Sequence, residues 1–177
     1  NSWSQEWETR YSEWMKSPKV HSNIFAKGQT YQGGLGDCAD TAYALRIIFS
    51  FENKLPFSMN HPMGARRGQK KILSQSSKIY DRISSPERRV VKFIKYIGDS
   101  VGSVNLNLFD TFPVRLQTIH AGDIFSYKKG RRRTSVRHVY TLKDVNRYGN
   151  FDVIYSTQAL ARHGAPLTYS ENKTFVN

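Results

Sequence analysis

The chain has a single cysteine in 177 residues, so no internal disulfide can staple it and Cys38 has to be explained as a free thiol. Long apolar runs are missing as well. No stretch approaches the ~20 residues needed to cross a bilayer, and the mean hydropathy is −0.59, so no membrane span is expected. Acidic residues are scarce, with 14 Asp and Glu against 27 Lys and Arg. The resulting formal charge of +13 calls for an anionic partner: a bacterial wall polymer, a membrane surface or nucleic acid. Paired-cysteine and HExxH spacings are absent, and His21, His61, His120 and His163 are dispersed, so neither a metal nor another cofactor is expected. No internal repeat and no recognised nucleic-acid motif is present, and the basic residues are spread rather than striped, which makes nucleic acid the least favoured of the three partners.

What is present supports a folded chain. Apolar residues make up 38% and aromatics 13%, enough large side chains to offset the ordering entropy of a single domain over 1–177. A monomer is expected. The chain opens on Asn1 rather than methionine, which suggests a trimmed upstream segment and is compatible with export.

Helical spacing governs the first part. Trp3, Trp7, Tyr11 and Trp14 fall on one face of an amphipathic helix, a stripe expected to pack on the domain. Residues 16–36 carry Pro18, Gly28 and Gly33-Gly34-Leu35-Gly36 and read as an irregular approach. A second helix begins there. Asp37 is a favoured N-cap type, and Cys38, Ala42, Leu45 and Phe49 recur at helical spacing, which puts the thiol at the first helical position. Unpaired N–H groups and the positive end of the helix dipole favour thiolate at such a position. Residues 56–78 are basic and rich in turn formers, so they read as a long loop or short helices. Ser85 as cap, Pro86 at the first position and a stripe of Val90, Ile94, Ile97 and Val101 predict another helix ending near Gly102.

Beyond it the apolar period shortens. "SVNLNLF", "VRLQTI", "DIFSYK", "VRHVYTLKDV" and "FDVIYST" predict a mainly antiparallel sheet, and helices followed by strands give an α+β domain. "DVNRYGNFDV" fits a hairpin with the loop Arg147-Tyr148-Gly149. If Asn146 faces Asn150, then His138 faces Gln158, Tyr140 faces Ser156 and Leu142 faces Ile154. Asp152 then faces Asp144, about 20 Å along the strand from His138, too far to orient it.

A helix-start cysteine followed by a strand-borne histidine, with a polar residue on the next strand, is the arrangement of a thiolate–imidazolium nucleophile. Three pieces carry a family resemblance: "YQGGLGDCADTAYAL", "HAGDIFSY" and "RHVYTLKDVNRYGNFDVIYSTQ". In that order they resemble the papain-like cysteine hydrolases, specifically the NlpC-like and CHAP domains of bacterial cell-wall hydrolases. Ala39-Asp40 stands where that branch usually has Ser-Gly, and is closer to the "GDCxD" start of bacterial transglutaminase-like proteinases. Cys38 and His138 are 100 positions apart, longer than either family usually shows, which points to an insert around 56–110.

The resemblance implies a papain-like fold, with N-terminal helices packed on the sheet, and assigns roles. Cys38 would be the nucleophile and His138 the base, with Gln158, or Ser156 after a register slip, holding the imidazole. Gln32, six positions upstream of the thiol, would assist the oxyanion. The run Arg131, Arg132 and Arg133 before the histidine strand would guide an anionic substrate. The activity implied is cleavage of an amide bond in peptidoglycan by a secreted or periplasmic bacterial enzyme. Two alternatives stand beside it: a related protease acting on protein, and a non-catalytic cationic module holding wall polymer or nucleic acid through Arg66, Arg67, Lys70, Lys71 and Arg131–Arg133. Asn172-Lys173-Thr174 matches a glycosylation sequon, a pattern common by chance.

Overall fold

The computed structural model describes residues 1–34, 36–61, 72–74, 76, 78–128, 137–156 and 174–175. Three main helices come first: α1 (Gln5–Lys16), α2 (Cys38–Glu52) and α3 (Pro86–Ser100), with a hairpin of β1 (Ser58–Asn60) and β2 (Ile72–Ser74) between α2 and α3. A second, antiparallel sheet follows in the order β3 (Ile124–Lys128), β4 (Arg137–Val145), β5 (Phe151–Ile154) and β6 (Thr174–Phe175). The architecture is therefore mixed helix and antiparallel sheet, α+β as the sequence predicts.

The helices form where the caps and stripes put them. Ser4 and Ser85 accept from Trp7 N and Arg88 N at the starts of α1 and α3. Twelve of the fifteen residues of α2 are buried, so it is a central helix covered on most sides rather than an amphipathic one. It packs against α3 and β4. The indole stripe of α1 closes over its C-terminal half, with Trp3, Trp7, Tyr11 and Trp14 all within 6.3 Å of the Phe49 ring centroid. Arg46 locks this layer: its guanidinium lies 3.4 Å from the Trp3 ring centroid and pairs with both Glu8 oxygens at 2.8 and 2.6 Å.

The end of α2 carries the one positive φ outside glycine among the described residues, Lys54 at 54°. Its N–H bonds Phe51 O at 3.2 Å and the next amide, Leu55, bonds Ser50 O at 2.8 Å, closing a left-handed helix stop usually given to glycine. Lys54→Gly is expected to raise unfolding free energy by about 0.5–1 kcal/mol, since the side chain is exposed and only the strain is removed. Urea unfolding of the two proteins measures it.

Two segments expected as strands are not strands. "SVNLNLF" forms a helical turn at Ser103–Asn105 that runs into a π turn at Leu106–Asp110, and "VRLQTI" contains a 3₁₀ turn at Leu116–Thr118. Alternation misleads here because only Leu106 of the apolar residues is fully buried, while Leu108 and Phe109 face solvent. The turn is set by polar groups. Asp110 Oδ2 accepts from Tyr43 Oη and Asn105 Nδ2, both at 2.7 Å, and its Oδ1 accepts from the Asn60 amide and side chain, both at 2.9 Å. In the opposite direction, β1 and β2 lie within the stretch read as loop; three residues each are too few to display a period.

The hairpin at 146–150 is as expected, with Asn146 N on Asn150 O at 3.0 Å, Gly149 at φ 79° and Asp144 opposite Asp152. The register beyond it is not. An irregularity between Leu142 and Asp144 slips the pairing by one, so that Leu142 faces Val153 and Thr141 faces Ile154. Tyr140 therefore does not face Ser156, nor Leu142 Ile154; a slip of one carries every later side chain to the other face.

Candidate functional site

The α2 start is built by its own acids. Asp37 Oδ1 accepts from Ala39 N at 2.9 Å and Asp40 N at 3.2 Å, while Asp40 Oδ2 accepts from Asp37 N at 2.8 Å, a reciprocal capping box. The Asp40 side chain is buried between two glycines. A Cβ at Gly36 would stand 2.5 Å from its Cβ, and one at Gly98 on α3 would stand 2.9 Å from Oδ2. Its Oδ1 has no hydrogen-bond partner. Burial, then the charge of Asp37, raise this carboxyl to about 7, against the bond from the Asp37 amide.

Cys38 is buried and its thiol is pushed up to about 11, first by burial and then by the Asp37 carboxylate. Backbone hydrogen bonds from Val139 and Ala39 act the other way. Burial and the Asp37 charge thus oppose the thiolate that helix position alone would favour. The Ala39 and Asp40 amides also bond the Asp37 carboxylate, whose negative charge offsets the positive helix end.

The same contact places the thiol on the backbone of β4 next to His138. Val139 and Ile154 share the core with Cys38 and α2. His138 lies among rings: its centroid is 4.7 Å from Tyr140 and 5.4 Å from Tyr155, edge-on to both, and those tyrosines pack on the separate cluster of Leu142 and Val153. Successive strand residues point to opposite faces, so the His138 ring projects away from the side that carries Val139, and no hydrogen bond joins the imidazole to the thiol. Burial lowers the imidazole's basicity and the Asp37 charge raises it, so the N-cap acts on both residues.

Ser156 is buried, and its Oγ donates to Gly36 O at 3.1 Å. It ties the end of β5 to the loop before Cys38, rather than bonding the histidine. Gln32 is exposed; its Oε1 accepts from Gly28 N at 2.7 Å, and it makes no bond to Cys38. Gln158, Arg131, Arg132 and Arg133 lie outside the described residues, as do Arg66, Arg67, Lys70, Lys71, His163 and, in the sequon, Asn172 and Lys173. Among the described residues no group of three or more His, Cys, Asp or Glu is placed to hold a metal, and no helix is long and apolar enough to cross a membrane.

Sequence reading passed over three features here: the tyrosines boxing His138, the serine anchor of Gly36, and the Asp110 network holding Tyr43 of α2. Asn105 and Tyr43 amid apolar neighbours are the signal for the last. A search of protein-family models, of curated proteins and of solved structures finds no match to this chain.

Proposed function

We propose that the chain is a papain-like, thiol-dependent amide hydrolase acting on bacterial peptidoglycan, working outside the cytoplasm, with Cys38 as nucleophile and His138 as base. The observation that carries this reading is the docking of the α2 start on β4, with the Cys38 thiol at the backbone of Val139, one residue from His138. The imidazole would take the thiol proton as sulfur attacks the scissile carbonyl. It would return that proton to the amine as the C–N bond breaks, and water would then release the acyl group from sulfur. The charge of +13 would hold the enzyme on an anionic wall.

In this reading the resting enzyme is closed. The ring would have to leave its edge-on contacts with Tyr140 and Tyr155 to bond the thiol, so productive binding would include a rearrangement at the start of β4. One observation favours the non-catalytic reading, a cationic wall-binding module: a buried thiol that no hydrogen bond joins to His138, whose ring packs on Tyr140 instead.

Incubation of purified peptidoglycan with wild type and Cys38→Ala, read by mass spectrometry of released fragments, separates the two. Fragments from wild type alone support the hydrolase. Equal binding by both proteins without release supports the module, and Cys38-dependent cleavage of protein instead of wall moves the substrate to polypeptide.

A further inference from the structure

Val90, Ile94 and Ile97 of α3 turn into the core, and at helical spacing the line directly opposite is Arg88, Lys92, Lys95 and Asp99, all exposed. Arg88, Lys92 and Lys95 make no ion pair and no side-chain hydrogen bond among the described residues. The acids of this helix leave them unpaired: Glu87 accepts from Ser85 Oγ at 3.0 Å, and Asp99 stands one turn beyond Lys95, at the end of the line. Folding gathers into one line cations that are spread along the sequence.

This line opposes the helix that carries it. Arg88 and Lys92 at i,i+4, and Lys92 and Lys95 at i,i+3, are like-charge neighbours. Arg88 and Arg89 also fall in the opening residues of the helix, near the positive end of its dipole, whereas the last turn, where cations are favoured, holds no basic residue. A bound anion relieves both effects. Arg89 fixes one flank: its Nε and Nη2 donate to Ile83 O at 3.2 and 2.8 Å, and Tyr80 packs on Tyr96 with ring centroids 6.4 Å apart. These contacts lay residues 78–83 along that flank, with Lys78 and Arg82 both exposed.

We infer that this face docks a linear phosphodiester polymer of the bacterial wall, its phosphates lying along Arg88, Lys92 and Lys95. The steps along the helix axis are about 6.0 and 4.5 Å, so one extended chain can meet the three cations together. Other polyanions fit the face less well. The apolar side of α3 is buried in the core, so the helix cannot insert into a bilayer as an interfacial helix does. The line carries no aromatic ring on which an unpaired base could stack. Asp99 closes it, and a flexible chain can turn away from that carboxylate where a stiff duplex cannot. The wall as the source of the polymer rests on the function proposed above. The cationic line does not depend on the chemistry of Cys38, and Cys38→Ala should bind like wild type, so binding and cleavage can fail separately.

The test titrates fluorescein-labelled poly(glycerol phosphate) with the full chain and follows anisotropy at two salt concentrations. The double variant Lys92→Gln, Lys95→Gln is expected to weaken binding about tenfold and to flatten its salt dependence. Lys19→Gln, Lys27→Gln removes the same charge from exposed positions outside α3 and should change binding less than about twofold. Thermal unfolding no lower than wild type verifies the fold of both. Equal weakening by the two double variants overturns the inference, because net charge alone then accounts for binding, and so does a failure of wild type to bind the polymer. Tighter binding of oligodeoxythymidine, duplex DNA or phosphatidylglycerol vesicles, lost in Lys92→Gln, Lys95→Gln, overturns it as well, since the face then belongs to nucleic acid or to a membrane.

Discussion

Asp110→Ala is expected to destabilise the fold by about 3–4 kcal/mol, read as a shift of the urea midpoint at constant slope. The carboxylate is the acceptor for four donors: Tyr43 Oη, Asn105 Nδ2, and the Asn60 amide and side-chain nitrogen. Removing it leaves Tyr43 Oη and the Asn60 amide without this acceptor, while Asn105 Nδ2 keeps Asn60 O and Asn60 Nδ2 keeps Phe109 O, both at 3.0 Å. Leaving a buried donor unpaired costs about 1–3 kcal/mol, while relaxation and water recover part of the total. Tyr43 feels the change most, because burial and the neighbouring carboxylate already hold its hydroxyl firmly protonated. Asp110→Asn keeps the shape and one acceptor, and should cost about half as much. A loss under about 1 kcal/mol for the alanine variant would mean that the segment 103–110 is held by Leu106 alone.

The second large effect is a pH dependence. Asp40 titrates near 7 in the folded chain against an ordinary value of 3.8, because burial, Asp37 and Asp99 penalise its charge more than the Asp37 amide favours it. The folded state therefore binds this proton more tightly than the unfolded state. Its stabilising contribution is complete below about pH 4, declines as pH rises, and is gone above about pH 7. The amplitude is about 2–4 kcal/mol. His138, whose basicity is lowered by burial, acts with the opposite sign and makes stability rise with pH near its own titration. Comparison with Asp40→Asn isolates the carboxyl. The variant should lose the decline between pH 4 and 7 and equal or exceed wild type at pH 8 in urea unfolding. Parallel profiles for the two proteins would assign the decline to other groups.

These effects lie where sequence and structure part company. Helices with a cap and a stripe are legible: Ser4, Asp37 and Ser85 open α1, α2 and α3, and most of their stripe residues are buried, with Trp3, Trp7 and Val101 partly so. The hairpin at Arg147-Tyr148-Gly149 is legible because its turn chemistry is local. Its register is legible only up to the irregularity between Leu142 and Asp144, which no residue type announces and which changes the partners of Leu142 and Thr141. Alternation at 103–109 imitates a strand because Asn105 is buried by hydrogen bonds rather than by hydrophobicity. For the candidate site, the position of Cys38 at the first turn is read correctly from Asp37, but its protonation is not. Helix position favours thiolate, whereas burial and the capping carboxylate, which depend on the tertiary fold, outweigh it.

The most direct test of Cys38 as nucleophile is the mass of the protein itself. Wild type, Cys38→Ala and His138→Ala are incubated with soluble peptidoglycan fragments, quenched in acid, and read by intact mass spectrometry with peptide mapping. The account predicts an acyl adduct on Cys38 in wild type, none in Cys38→Ala, and strongly reduced adduct and product in His138→Ala. Wild type that stays unmodified while fragments are released equally by Cys38→Ala would contradict it.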